Sequence, residues 1–148
     1  GALTIGTDDG ANIEIRQQVG DEHIFIFGLR TPQVAALRNA GYDPMQRYAD
    51  DAILRSSLDA IADGAFSPQD PARHQDLVNA LLWGGDHFLL LADFAEYLAA
   101  QALVDARYRN RDAWVQSAIA NVAGMGAFSS DRSIREYAER IWQVPSQR

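Results

Sequence analysis

The chain opens on Gly1-Ala-Leu-Thr-Ile-Gly-Thr-Asp-Asp-Gly-Ala-Asn-Ile-Glu-Ile15, and this stretch decides the fold. Its apolar beginning, Ala2 to Ile5, predicts a short buried strand that runs into a loop of Gly, Thr and Asp. Asp9 can cap a helix from about Gly10 to Val19, with Gly20 as its C-terminal stop. The first twenty residues therefore predict a strand followed by a helix.

A second strand is predicted at Ile24-Phe-Ile-Phe-Gly28, which resembles Leu3 to Thr7 in being short, β-rich and apolar at its centre. Such runs are typical of strands that are buried on both faces of a parallel sheet. Strand, helix and strand together form one compact βαβ unit. Because a sheet of two strands is marginal by itself, we expect neighbouring strands upstream.

Helix signals dominate the rest of the chain. The predicted inward positions include Ile53, Leu54, Leu58 and Ile61, then Leu77, Val78, Leu81 and Leu82. The predicted helices start at Thr31-Pro32 (ending at Gly41), Asp43-Pro44 (breaking near Asp50-Asp51), Ala52 (to Asp63), after the loop Ser67 to Pro71 (ending at Gly84-Gly85), Asp93 (through about Tyr108), Asn110 (ending at Gly124) and Ser129-Ser130 (stopped by Pro145).

These elements predict an α/β fold that is strongly α-rich. We expect a βαβ remnant at 1–28, a helical region at 29–128 and a C-terminal helix at 129–148. At 148 residues the chain has the size of one domain. We find no internal repeat and no linker that would divide it.

Charge and composition exclude several function classes. The net charge of −7 argues against autonomous binding of nucleic acid or anionic membrane, which needs clustered cations. The chain has no cysteine, hence no disulfide framework and no thiolate chemistry. No apolar run approaches the ~20 residues of a membrane span, and no signal peptide is recognised. We therefore expect a soluble cytoplasmic protein.

All 13 residues counted as Lys or Arg are arginine. A Schiff base with pyridoxal phosphate needs an amine that can lose its proton, and a guanidinium does not do this in proteins. Apart from the terminal amine, no group of this chain could hold that cofactor covalently.

Several motifs resemble the α-glucan phosphorylases, the family of the glycogen, starch and maltodextrin enzymes, and they follow in that family's order over the whole chain. The mild departures include Asp8, where the family often has an apolar residue, and Ile13 for valine. The motifs are Gly6-Thr-Asp-Asp-Gly-Ala-Asn-Ile-Glu14, Ile24-Phe-Ile-Phe-Gly28, Ala65-Phe-Ser-Pro68, Leu91-Ala-Asp-Phe94 with Tyr97, Asn110 with Trp114, Phe128-Ser-Ser-Asp-Arg-Ser-Ile134, Tyr137 and Ile141-Trp142.

The resemblance implies a Rossmann-like domain of the glycosyltransferase-B fold, of which this chain would be the C-terminal part. It implies an enzyme that transfers glucosyl units from an α-1,4-glucan to phosphate, with pyridoxal phosphate acting through its phosphate group. In that family the anchoring lysine, the cofactor-phosphate loop and the substrate-phosphate contacts lie upstream of the position that matches Gly1. We therefore assign no catalytic, cofactor-binding or metal residue to this chain, and we expect the chain alone to be inactive.

For the other residues that could carry chemistry, the sequence favours structural roles. Asp8, Asp9 and Glu14 could form an acid/base or metal cluster, but a helix cap with acids at the positive helix end is favoured. A phosphate loop at Gly6 to Gly10 is opposed by its two aspartates. The remaining candidates are also disfavoured as functional sites: His23, His74 and His87 as zinc ligands, Ser129-Ser130 as a nucleophile, and Arg107, Arg109 and Arg111 as a phosphate or glycan contact.

The last helix carries an apolar face that includes Ile134, Tyr137, Ile141 and Trp142. The resemblance implies that this helix crosses to the N-terminal domain of the full-length enzyme, and an ordinary packing on this chain's own core stays open beside it. An exposed face of this kind predicts a homodimer. Two alternatives to the phosphorylase interpretation are a stand-alone interaction or structural module and another glycosyltransferase-B enzyme, such as a sugar-nucleotide synthase.

Overall fold

The computed structural model describes residues 1–144. The chain forms two compact units, the first of residues 1–26 and 102–144 and the second of residues 27–101. Strands β1 (Ile5–Thr7) and β2 (Phe25–Phe27) are connected through helix α1 (Gly10–Val19). The longer helices that follow β2 in the described residues are α2 (Thr31–Asn39), α3 (Pro44–Asp50), α4 (Ala52–Ala62), α5 (Gln75–Leu82), α6 (Leu90–Arg109), α7 (Arg111–Gly124) and α8 (Ser130–Glu136), with a π-helix at Tyr137–Trp142.

The predicted α-rich α/β fold is thus confirmed, and so is the βαβ unit. The two strands form a parallel pair in which the Phe25 N–H donates to the Thr4 carbonyl at 2.9 Å. Helix α1 has the predicted bounds, and Gly20 ends it with a φ of +90° and an N–H bond to the Arg16 carbonyl. The predicted burial of both strand faces is wrong for this chain. Every strand residue is only half-buried, because two strands offer each other little cover.

In the first unit, α1 packs against α7, and a glycine sets the contact. A Cβ atom at Gly124 would lie 2.9 Å from the Val19 Cγ1 and 3.1 Å from the Gln18 carbonyl oxygen. Val19 and Ile24 are the apolar residues buried there. The predicted cap at Asn110 is confirmed, because its side chain accepts from the Ala113 N–H.

The outward side of α7 carries an apolar stripe, Val115, Ile119 and Val122, with exposures of 44, 63 and 64 %. These residues recur at i, i+4 and i+7 and so lie on one helix face. Within the described chain this face is exposed.

In the second unit, the core is built from Leu54, Leu58 and Leu91. The predicted break between α3 and α4 is confirmed, since the Asp51 side chain accepts from the first N–H groups of α4. Two inward predictions are wrong: Ile53 is 59 % and Leu77 is 53 % exposed. Each precedes a core-facing residue by one position, which turns it about 100° away around the helix.

The beginnings of two helices differ from the predictions. Helix α6 begins at Leu90 and not at Asp93, for a reason that involves Asp86 and is given below. The N-cap position of α2 is Arg30, whose N–H donates to the Gln33 side chain, so that Thr31 is already helical.

The predicted last helix is two elements, α8 followed by the π-helix. In an α-helix, residues five apart point about 140° apart. The wider π-turn brings Tyr137 and Trp142 to one side, where their rings stack with centroids 5.8 Å apart. Pro145, the predicted stop, lies outside the described residues.

Residues 1–144 contain no helix that is both long and apolar enough to cross a bilayer.

Candidate functional site

The Gly/Thr/Asp loop after β1 is held together by its own side chains. The Asn12 side chain donates to the Thr7 carbonyl at 2.9 Å, and it packs so closely on Gly6 that a Cβ atom there would displace the Asn12 amide. Asp9 occupies the predicted N-cap position, but its side chain makes no cap bond. It accepts instead from the Thr7 hydroxyl at 3.1 Å. The loop therefore has a structural role, but the bonds that hold it are Thr7–Asp9 and Asn12–Thr7 and not the predicted cap bond of Asp9.

Asp8 is used in an ion pair. Its carboxylate lies 2.9 Å from the Arg16 guanidinium on α1, and the Asp8 side chain is 11 % exposed. The Nε of Arg16 also lies 3.5 Å from the exposed Asp21 carboxylate. This pairing explains how a buried carboxylate is tolerated where the resembling family often has an apolar residue. In the described part of the chain, no group of three or more His, Asp or Glu side chains is placed to bind a metal ion.

A polar cluster gathers around Ser117, which is fully buried on α7. Its hydroxyl lies 3.1 Å from the His23 Nδ1 and accepts from Arg107 at 2.9 Å. Arg107 also donates to the Glu22 carbonyl, and Asn121 donates to the His23 and Ser117 carbonyls, each at 2.9 Å. We call Arg107, Ser117, His23, Glu22 and Asn121 the Ser117 cluster.

The Ser117 cluster contains the residue types of a Glu–His–Ser triad. The Glu22 carboxylate lies 3.5 Å from the His23 Nε2 on the other side of the ring. A nucleophilic serine, however, must be reached by a substrate, and Ser117 has no exposed surface. Its oxygen is also occupied by the Arg107 donor. The cluster is therefore a structural network around the buried Ser117 and Asn121. It uses His23 and Arg107, which the sequence offered as a candidate zinc ligand and as a candidate phosphate or glycan contact.

The other sequence candidates are dispersed. His74 and His87 lie in the second unit, away from any ligand set among the described residues. Arg109 and Arg111 are exposed, whereas their neighbour Arg107 is committed to the cluster. Ser129 precedes α8 as predicted, but its side chain makes no cap bond and its carbonyl accepts from the Ser133 N–H.

In the second unit, acidic residues of α6 hold the backbone that follows β2. The Glu96 carboxylate accepts from the Gly28 N–H and the Asp93 carboxylate accepts from the Leu29 N–H, each at 2.8 Å. Gly28 has a φ of +84°, and a Cβ atom there would lie 2.7 Å from the Asp93 carboxylate. Asp93 and Glu96 have the spacing that predicts a capping box at the start of this helix, but that prediction is wrong, because both side chains bind a distant segment.

The Asp86 side chain, four residues before α6, binds the first N–H groups of that helix. It accepts from the Leu90 and Leu91 N–H groups and from the Tyr42 hydroxyl, at 2.7 to 2.9 Å. Asp86 is 1 % exposed and has a φ of +43°, a conformation that aspartate tolerates better than most residues. Burial, together with Asp86, raises the pKa of Tyr42 well above its usual value. The sequence offered no sign of this pairing across 44 positions.

A cleft of about 190 Å³ opens beside Tyr42, and its lining includes the polar side chains of Gln46, Arg47 and Asp50 on α3. No nucleophile–base pair faces it.

Comparison with known proteins connects the described chain to one family. A family model described as carbohydrate phosphorylase matches residues 1–144. The chain is 50% identical over 144 residues to the glycogen phosphorylase of Haemophilus influenzae, which covers 97% of the chain and 17% of that relative. It is 50% identical to the glycogen phosphorylase of Synechocystis and 47% identical to the brain form of mouse, with the same coverage. The chain thus spans about a sixth of the length of these relatives, which agrees with the expectation that it corresponds to part of a longer enzyme.

Proposed function

Because this chain belongs to the carbohydrate phosphorylase family, we propose that it forms the C-terminal part of an α-glucan phosphorylase. The full-length enzyme would transfer glucosyl units from the non-reducing end of an α-1,4-glucan to phosphate and release glucose 1-phosphate. The observation that carries this proposal is the identity of about half of all residues, over 97% of the chain, to proteins named glycogen phosphorylase.

Within that enzyme, the chain would complete a Rossmann-like domain of the glycosyltransferase-B fold. The parallel βαβ unit with its half-buried strands supports this role, since further strands could pair beside β1 or β2 and cover them. The helix from residue 129 onward would cross to the N-terminal domain. Its exposed Ile134, Tyr137, Ile141 and Trp142 support such a contact. A homodimer in the cytoplasm is part of the same proposal.

Pyridoxal phosphate belongs to the proposed enzyme, but the residues of this chain do not fit a covalent site for it. The chain has no lysine, and the loop after β1 places the Asp8 and Asp9 carboxylates at the beginning of α1, where a bound phosphate would meet negative charge. The cofactor lysine would have to come from the sequence upstream of Gly1. No catalytic step is assigned to the residues described here.

The proposal predicts that the full reading frame is active and the 148-residue chain is not. We expect the full-length protein to release glucose 1-phosphate from glycogen and phosphate, and the chain alone to release none at matched molar concentration. An upstream reading frame that lacks a lysine and a glycine-rich segment would contradict the proposal, as would inactivity of a folded full-length protein with bound cofactor.

A cofactor readout separates the two parts of the proposal. Borohydride reduction should fix pyridoxal phosphate to the full-length protein and should label the chain alone at no position beyond its terminal amine. Internal labelling of the chain alone would show that the assignment of the cofactor site is wrong, whatever the activity of the full-length enzyme.

A further inference from the structure

The Ser117 cluster fixes a turn of the backbone, and we propose that three of its members form a one-way hydrogen-bond relay. In this relay, Arg107 donates to Ser117, Ser117 donates to His23, and the His23 imidazole is thereby held as the Nε2–H tautomer. The proposal concerns the 148-residue chain itself and does not depend on the enzymatic activity of a longer protein.

The direction of the relay begins at Arg107, because a guanidinium only donates hydrogen bonds. One of its nitrogens, Nη1, lies 2.9 Å from the Ser117 oxygen and 3.0 Å from the Glu22 carbonyl oxygen. Both hydrogens of that nitrogen are therefore used. The Ser117 oxygen must act as an acceptor toward Arg107.

The Ser117 hydroxyl proton then needs its own acceptor. Ser117 has no exposed surface, so solvent does not supply one. Among the described residues, the hydrogen-bonding atom offered to this hydroxyl besides Arg107 is the Nδ1 of His23, at 3.1 Å. If Nδ1 carried a proton, Arg107 and His23 would both donate to the Ser117 oxygen, and the buried Ser117 hydroxyl proton would be left without an acceptor.

The proton of a neutral imidazole with a bare Nδ1 is on Nε2. In this structure Nε2 faces the Glu22 carboxylate at 3.5 Å. Asn121 fixes the His23 carbonyl at the same time, so that the ring and the main chain of His23 are both held. His23 is therefore a positioning residue for the turn Asp21–His23, which leads directly into β2.

The test is nuclear magnetic resonance of the ¹⁵N-labelled 148-residue chain at about pH 8, above the usual titration range of histidine. Long-range ¹H–¹⁵N spectra should show an unprotonated Nδ1 and a protonated Nε2 for His23. In Ser117→Ala the relay is broken, and the two nitrogen shifts should move toward each other as the tautomers mix. Ser56→Ala, the same change at an exposed serine on α4, is the control and should leave the His23 shifts unchanged.

A protonated Nδ1 in the unsubstituted chain, or His23 shifts that are the same in Ser117→Ala, would overturn the proposal. If Ser117→Ala does not fold, the unsubstituted chain still provides a test. The Ser117 hydroxyl proton should then be seen as a slowly exchanging resonance coupled to the His23 Nδ1. Absence of that coupling would also overturn the proposal.

Discussion

Gly124 shows at the scale of one residue how a correct prediction can rest on the wrong cause. The sequence predicts that α7 ends here, since glycine favours helix termini, and the helix does end here. Its φ of −76°, however, is one that any residue adopts. Glycine is required here for another reason, because a side chain at this position would collide with the Val19 side chain and the Gln18 carbonyl of α1.

We therefore expect Gly124→Ala to lower the free energy of unfolding by about 1–3 kcal/mol, because the added methyl group would force α1 and α7 apart. The gain in helix propensity, about 0.5–1 kcal/mol, does not offset this. Denaturant unfolding monitored by circular dichroism measures the difference. Gly126→Ala is the control, because a Cβ atom there meets nothing within 4 Å. Equal unfolding midpoints for the two variants would contradict the close contact.

Local sequence signals predicted most of the helices and strands. They failed where a side chain forms its hydrogen bond with a residue far away in the sequence. Asn110 caps α7 as predicted, and Asp51 caps α4 at the predicted break, because a cap bond joins residues two or three positions apart. Asp93 and Glu96 have the spacing of a capping box but bind backbone more than sixty positions away. Asp86 begins α6 through a buried carboxylate at positive φ, for which the sequence contains no recognised signal.

The pairing of Asp86 with Tyr42 at the beginning of α6 makes the free energy of unfolding depend on pH. The pKa of Tyr42 is raised in the folded state, whereas an unfolded tyrosine titrates near pH 10. The unfolded chain therefore loses its proton first as the pH rises. The stabilisation is fully present below about pH 10 and is lost as the pH rises toward the folded pKa.

We expect the urea midpoint of unfolding to be constant from about pH 7 to 9 and to fall above about pH 10. Tyr42→Phe should make this fall shallower, and at neutral pH it should destabilise the chain by about 1–3 kcal/mol, because buried Asp86 loses a donor. Tyr108→Phe, at a 68 % exposed side chain, is the control. The remaining fall in Tyr42→Phe is expected from Tyr48, whose hydrogen bond to Asp59 also raises its pKa. An identical pH profile for Tyr42→Phe and the unsubstituted chain would refute the role of this pair.

For the molecule as a whole, the family and the fold class could be predicted from the sequence, but the Ser117 cluster could not. The order of the motifs along the chain indicated the family, and hydrophobic periodicity predicted the α-rich fold. The Ser117 cluster could not be predicted in this way, since His23 and Ser117 are 94 positions apart and neither belongs to a motif. Contacts over that separation follow from tertiary packing, which one sequence does not encode locally.

The apolar stripe of α7 leads to a prediction for the whole molecule. We expect the isolated chain to self-associate, with a weight-average mass by light scattering that rises toward a dimer as concentration increases. Ile119→Gln should lower this association severalfold, because it places a polar group in the stripe. Ile53→Gln, the same substitution at a 59 % exposed position outside the stripe, is the control and should leave it unchanged. A constant monomer mass at all concentrations would contradict the prediction.

The beginning of the chain has a practical consequence that follows from its contacts. When the 148-residue chain is prepared with a free terminus at Gly1, that terminus is the one amine of a lysine-free sequence. A Cβ atom at Gly1 would lie 3.5 Å from the Val122 side chain on the apolar stripe. An amine-reactive fluorophore would therefore attach at one site and be held beside that surface. Its emission would respond to a second copy of the chain that covers the stripe, without any engineered label.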